Sequence, residues 1–211
     1  MRINRVTTPQ SAFLSVEKDS AIIMSEMLKN LRLKKYLVYN PKDDKGNNVN
    51  PLTWKGFKNL ETGEYEEWGD KAEDLFRKSI RFRPKIKIEP DDTNIIIVKF
   101  NRFTPNMHNT EFRDNLIEFD IVCHFDNWDL ENFAQRPFKI AAEIDSMFNK
   151  KHLTGIGTLQ FIAGNPFVLN NEFGGFALQY KAIHGEEDKT PMPTAEEQEL
   201  LEKTYYPGLE F

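Results

Sequence analysis

The sequence predicts an α+β fold: an antiparallel sheet with amphipathic helices packed on one face, plus an insertion and a C-terminal arm. Three observations predict it. Between Leu116 and Phe125 polarity switches at almost every residue, the period of a strand with two unlike faces. Two longer stretches, Asp19 to about Val38 and Arg136 to Asn149, each carry one apolar stripe at three- and four-residue spacing. Several apolar runs are joined by turns too short for a parallel crossover, which favours antiparallel pairing.

In the first stretch Ile23, Met24, Met27, Leu28 and Leu31 form the stripe, and Asn40-Pro41 ends the helix. Residues 41–69 read as an insertion. They open on the polar run KDDKGNNVNP and continue with Trp54, Phe57, Tyr65 and Trp68 flanking Thr62-Gly63, a hairpin pattern. Asp70 and Glu73 stand at capping-box spacing, and Ala72, Leu75, Phe76 and Ile80 supply the apolar side of a short helix that stops before Pro84. Ile86 and Ile88 alternate with charges in a strand over 85–89. Pro90-Asp91-Asp92 then turns the chain into a second strand over Ile95–Phe100, and residues 101–114 read as a loop.

In the next run Ile117, Phe119, Ile121, Cys123 and Phe125 take the buried side, while Glu118, Asp120, Val122 and His124 take the wet one. An acidic loop follows, and Arg136-Pro137 opens the second main helix, since proline suits the first helical position. Ile140, Ala141, Ile144, Met147 and Phe148 form its buried side. Leu159, Phe161 and Ala163, then Phe176, Leu178, Tyr180 and Ala182, alternate with polar residues as two antiparallel strands about a Gly/Asn-rich turn region. Thr194 and Glu197 mark a short acidic helix, trailed by TYYPGLEF.

A chain of 211 residues suits one domain better than two, here 1–189 with its insertion, followed by an acidic helix and arm over 190–211. The start has two arginines but no run of roughly 7–15 apolar residues, so no secretory signal is expected, and no run of about 18 apolar residues offers a membrane span. One cysteine excludes an intramolecular disulfide framework and a multi-cysteine zinc site, which suits a reducing compartment. The net charge of −5 argues against a DNA-coating protein. Its distribution is uneven: residues 1–40 hold seven basic and three acidic side chains, residues 186–211 two basic and eight acidic. Solvated faces explain that, as does an acidic tail of one copy meeting the basic helix of another.

The sequence carries no complete catalytic motif. Glu118, Asp120 and His124 on one strand face, with Pro90-Asp91 upstream, suggest a metal-dependent nuclease, but Ile97 stands where such a site needs an acid two residues before Lys99. The four histidines make no i, i+4 pair, and neither phosphate-cradling glycine motif is present. Cys123 falls among buried positions near two carboxylates, a poor setting for a nucleophile. No enzyme, metal or cofactor is expected.

Residues 19–184 resemble the tail terminator family of tailed bacteriophages, also called tail completion or head-to-tail joining proteins. The resemblance rests on the initial amphipathic helix, the run LIEFDIVCHFDNWDLENFAQRPFKIAAEIDSMF, and the strand pair GTLQFIAGNPFVL and GFALQYKAIHG. It implies a virion protein, assembled in the host cytoplasm, that forms a homo-oligomeric ring, usually hexameric. Such a ring binds the tail tube protein at the open tube end, stops tube growth and meets the head connector or neck proteins. DNA passes through without specific binding, and no membrane is involved. Glu118, Asp120, Asp126 and Asp129 are then candidates for lumen or subunit contacts, and Trp54, Trp68, Tyr205 and Tyr206 for contacts with neighbours. Another tube, neck or adaptor subunit of the same fold is the first alternative, and the nuclease the second.

Overall fold

A computed structural model describes residues 11–58, 63–105, 113–153 and 155–183. Four helices, α1 (Ser11–Leu28), α2 (Leu31–Val38), α3 (Asp70–Ser79) and α4 (Arg136–Phe148), accompany a hairpin of β1 (Phe57–Lys58) and β2 (Tyr65–Glu66) and a six-stranded sheet. The sheet comprises β3 (Ile80–Phe82), β4 (Asn94–Pro105), β5 (Arg113–His124), β6 (His152–Leu153), β7 (Gly157–Val168) and β8 (Phe173–Ile183), in the order β3-β4-β5-β8-β7-β6. All its pairs are antiparallel except β3 with β4. The expected α+β architecture is therefore present.

The first amphipathic stretch is two helices, not one. Lys29 and Asn30 donate to the carbonyls of Glu26 and Met27 in a tight final turn, and the Asn30 side chain accepts from the Leu33 N–H, capping α2. Glu143 of α4 fixes the joint, accepting from Asn30 at 3.1 Å and Arg32 at 2.7 Å. Leu31, expected on the stripe, is exposed, while Ile23, Met24 and Met27 are buried. In α3 the helix starts one residue earlier than the capping-box spacing implies. Gly69 is the N-cap, and Glu73 turns its carboxylate to Lys34 and the Trp68 indole N–H, both at 2.8 Å.

The expected strand over 85–89 does not form. Ile80–Phe82, read above as helix end, instead pairs parallel with Ile96–Val98 as β3. Ile86 and Ile88 still pack inward, against a small cluster of Ile95, Ile97, Val122 and Phe173 on the second face of the sheet. Arg81 holds this segment down, donating to the Lys87 carbonyl and to the Asp92 carboxylate. The loop expected over 101–114 is mostly strand at its ends: β4 runs to Pro105 through a bulge at Asn101–Thr104, and β5 begins at Arg113. The expected acidic helix after Thr194 lies outside the described residues.

Helices and sheet share one main core, where Ile117, Phe119, Ile121 and Cys123 of β5 meet Ile140, Ile144 and Phe148 of α4. Phe119 stacks on Phe148 with centroids 5.2 Å apart. Each such fully buried side chain stabilises the fold by about 1.5–3 kcal/mol. The burial of the odd positions of β5 holds as expected up to Cys123, but the strand stops at His124, and Phe125 opens a single 3-10 turn with its ring partly exposed. The even positions are not wet: Asp120 and Val122 are both buried.

Candidate functional site

The carboxylates that first suggest chemistry lie on the second face of the sheet's centre. Register places Lys99 of β4 opposite Glu118 of β5, and Glu118 opposite Gln179 of β8. The result is a polar row across three strands. The Lys99 ammonium bonds Glu118 at 2.8 Å and also pairs with Asp120, while the Gln179 amide donates to the other Glu118 oxygen at 2.6 Å. Burial works against charge at all three groups, and their contacts decide the outcome. Lys99 is held above its ordinary range by Asp120 and Glu118, and Glu118 is held below its own by Lys99 and Gln179. Asp120 is the exception. Burial, aided by the neighbouring Glu118 charge, raises its pKa despite Lys99.

The row pairs Lys99 with both carboxylates inside the sheet. Among the described residues, no group of three or more His, Cys, Asp and Glu side chains is arranged to hold a metal ion. Cys123 is fully buried, and burial pushes its thiol up to about 12, the opposite of what a nucleophile needs. Lys99→Met is expected to lower stability by about 2–3 kcal/mol, because it strands two carboxylates in a poorly solvated site, and adding Asp120→Asn should restore part of that. Urea unfolding of the two variants checks this; a single variant as stable as the parent would mean the row carries no coupled charge.

Around the acidic loop, the geometry is one of connection. Asp126 lies in the 3-10 turn, and Asp129 bridges antiparallel to Gln135. Both carbonyls accept from Asn48, at 2.7 and 3.0 Å, so the 41–69 segment is stitched to this loop. Beneath them the fully buried Arg136 donates to the carbonyls of Asn127, Tyr36 and Tyr39 at 2.7, 2.6 and 3.0 Å. It thereby joins the end of α2, the loop and the start of α4.

The expected site residues are thus scattered. Glu118 and Asp120 are engaged in the sheet. Trp68 packs between Tyr39 and Phe76, at centroid distances of 5.6 and 6.3 Å. Trp54, Asp126 and Asp129 are on the surface, and Tyr205 and Tyr206 lie outside the described residues. Among the described basic residues of the first forty, Lys29 pairs with Glu26, Arg32 with Glu143, Lys34 with Glu73 and Lys35 with Glu67.

Sequence reasoning missed the surface that is left open. Among the described residues, β7 beyond Phe161 pairs only with β8, because β6 covers just Gly157 and Thr158. Ile162, Val168 and Leu169 are exposed along this edge. On its helix-side rim, Pro166 lies opposite Phe176, which carries the exposed ring of Phe138 at 5.0 Å. Val168 lies opposite Gly174, where the Phe125 ring rests. An unpaired strand edge lined by apolar side chains is a surface suited to another chain. The sequence signal was there: Phe161, Ile162, Phe167 and Val168 put apolar residues on both faces of one strand.

A family model described as YomW matches residues 30–182. No curated protein matches the chain.

Proposed function

We propose, because the chain belongs to the YomW family, a phage-related role: a virion structural protein that forms a ring at the head-proximal end of a tail tube, ends tube growth and joins the tail to the head connector. The observation that carries this reading is the β7 edge, open among the described residues, with its apolar rim, on a sheet whose described helices pack into one core. A closed ring needs two different, complementary surfaces on each subunit, and such an edge is one of them. Support also comes from the carboxylates of the central strand, which are spent on Lys99 and Gln179 and so serve architecture. The reading assigns no catalysis and no cofactor. The acidic balance of the chain suits a conduit that DNA traverses without being held. Among the described residues no helix is long and apolar enough to cross a membrane.

The test is assembly. Mass photometry and negative-stain microscopy of the full chain at micromolar concentration should show closed rings of uniform mass, and rings added to isolated tail tubes should cap one end. Monomers throughout would overturn the reading. Open-ended tubes would assign the chain to the tube itself.

A further inference from the structure

The β7 edge lacks an occupant among the described residues, and the sequence supplies one. We propose that the C-terminal arm of one copy, residues 190–211, seats on the β7 edge of the next copy in the ring, with Tyr205 and Tyr206 over its apolar rim. This deepens the ring reading and rests on it. Three observations lead there. The edge is long enough to take a segment, since β7 from Ile162 to Val168 has one side unpaired among the described residues. Its rim offers apolar seats at Phe125, Phe138, Ile162 and Val168, of which Val168 is 76% exposed. Aromatic side chains fill such seats at little entropic cost, and the arm carries Tyr205, Tyr206 and Phe211.

Charge selects this arm over other segments. The edge begins beside Lys150 and Lys151, where the Lys150 N–H donates to the Leu159 carbonyl and the Leu159 N–H to that of Lys151. Both side chains are exposed, and neither has an ion pair among the described residues. Residues 186–211 hold eight acidic and two basic side chains, so the tail meets a basic step before the apolar rim. The arm has a long contour, because twenty residues separate the end of β8 at Ile183 from Thr204, and an extended chain spans about 3.3 Å per residue. Pro166 removes one backbone donor from the edge. The hold is therefore expected to come chiefly from side chains, with a short ladder near Ile162.

Disulfide trapping in the full chain tests this, since the native Cys123 is buried and stays out of reach. Two differently tagged preparations, one with Tyr206→Cys and one with Val168→Cys, are mixed and mildly oxidised. Expected is a doubly tagged dimer forming at least tenfold faster than when Val168→Cys is replaced by Glu17→Cys on α1, and slowed severalfold by Lys150→Glu with Lys151→Glu. Trapping no faster than that control, or only inside a single chain carrying both cysteines, would overturn the proposal. Mass photometry of the same samples separates the two readings. Rings without trapping remove the arm contact and leave the ring standing, whereas monomers without trapping remove both.

Discussion

Gly175→Ala is expected to cost about 3 kcal/mol of stability, the upper part of what overpacking usually costs. Gly175 lies opposite Val122 in the pairing of β5 with β8, at the centre of the sheet. A methyl group there would overlap the Ile121 carbonyl oxygen and lie 2.6 Å from Phe167 Cζ. The aromatic ring has some freedom, but the carbonyl belongs to the backbone of β5 and cannot withdraw without disturbing the ladder. Because Ile121 also faces the main core and Val122 the second cluster, displacement of that peptide is felt on both faces. For a chain of this size the loss corresponds to a fall of roughly 6–12 °C in melting temperature. Gly69→Ala is the control, since the methyl group there meets chiefly the end of the Glu66 side chain, and at this N-cap its cost should stay within about 1 kcal/mol. Calorimetry of both variants decides the matter. Equal melting temperatures would mean that β5 and β8 approach less closely at Gly175 than described.

That glycine shows where the sequence was readable and where it was not. The strand β5 with its buried odd positions and the Arg136-Pro137 start of α4 rest on local rules, a two-residue period and a proline that needs no hydrogen-bond partner, and both are found in the structure. The break between α1 and α2 was hidden because the apolar spacing runs straight through Lys29 and Asn30. What sets it is Glu143, more than a hundred residues away. The strand expected over 85–89 failed for a related reason. Ile86 and Ile88 alternate because they reach a second apolar cluster, and the Arg81 to Asp92 clamp, not a ladder, holds them there. The two-residue period puts Asp120 in water, in phase with Glu118 and His124. Its real environment is set by Lys99, whose proximity follows only from the β4 to β5 register. The β7 edge escaped notice because whether a strand is central or terminal is a property of the sheet order.

Arg136→Met should have the largest effect of all, about 3–5 kcal/mol, although it exchanges a buried cation for an apolar side chain of similar length. Replacing a buried ion pair with hydrophobic residues is often harmless because both partners leave together. Here the partners are backbone carbonyls, and they remain. Asn127, Tyr36 and Tyr39 each lose a donor, and a stranded buried carbonyl costs about 1–3 kcal/mol. Relief from burying the cation offsets part of this sum. Two of those carbonyls close the C-terminal end of α2, where a positive charge is also favoured by the helix dipole. Burial lowers the Arg136 pKa to about 10, so at neutral pH it is charged in both folded and unfolded chains and contributes no slope. Above about pH 10 the unfolded chain holds more protons at this group, so its contribution to stability rises with pH there, and Arg136→Met should lose that alkaline component. The urea midpoint measures the loss at pH 7, and hydrogen exchange should locate it first in the turn after β5 and the start of α4. A variant that unfolds at the parent's midpoint would mean that the end of α2 and the acidic loop hold together without the guanidinium. The Asn48 bonds to Asp126 and Asp129, from the segment that follows α2, would then be the principal tie to that loop.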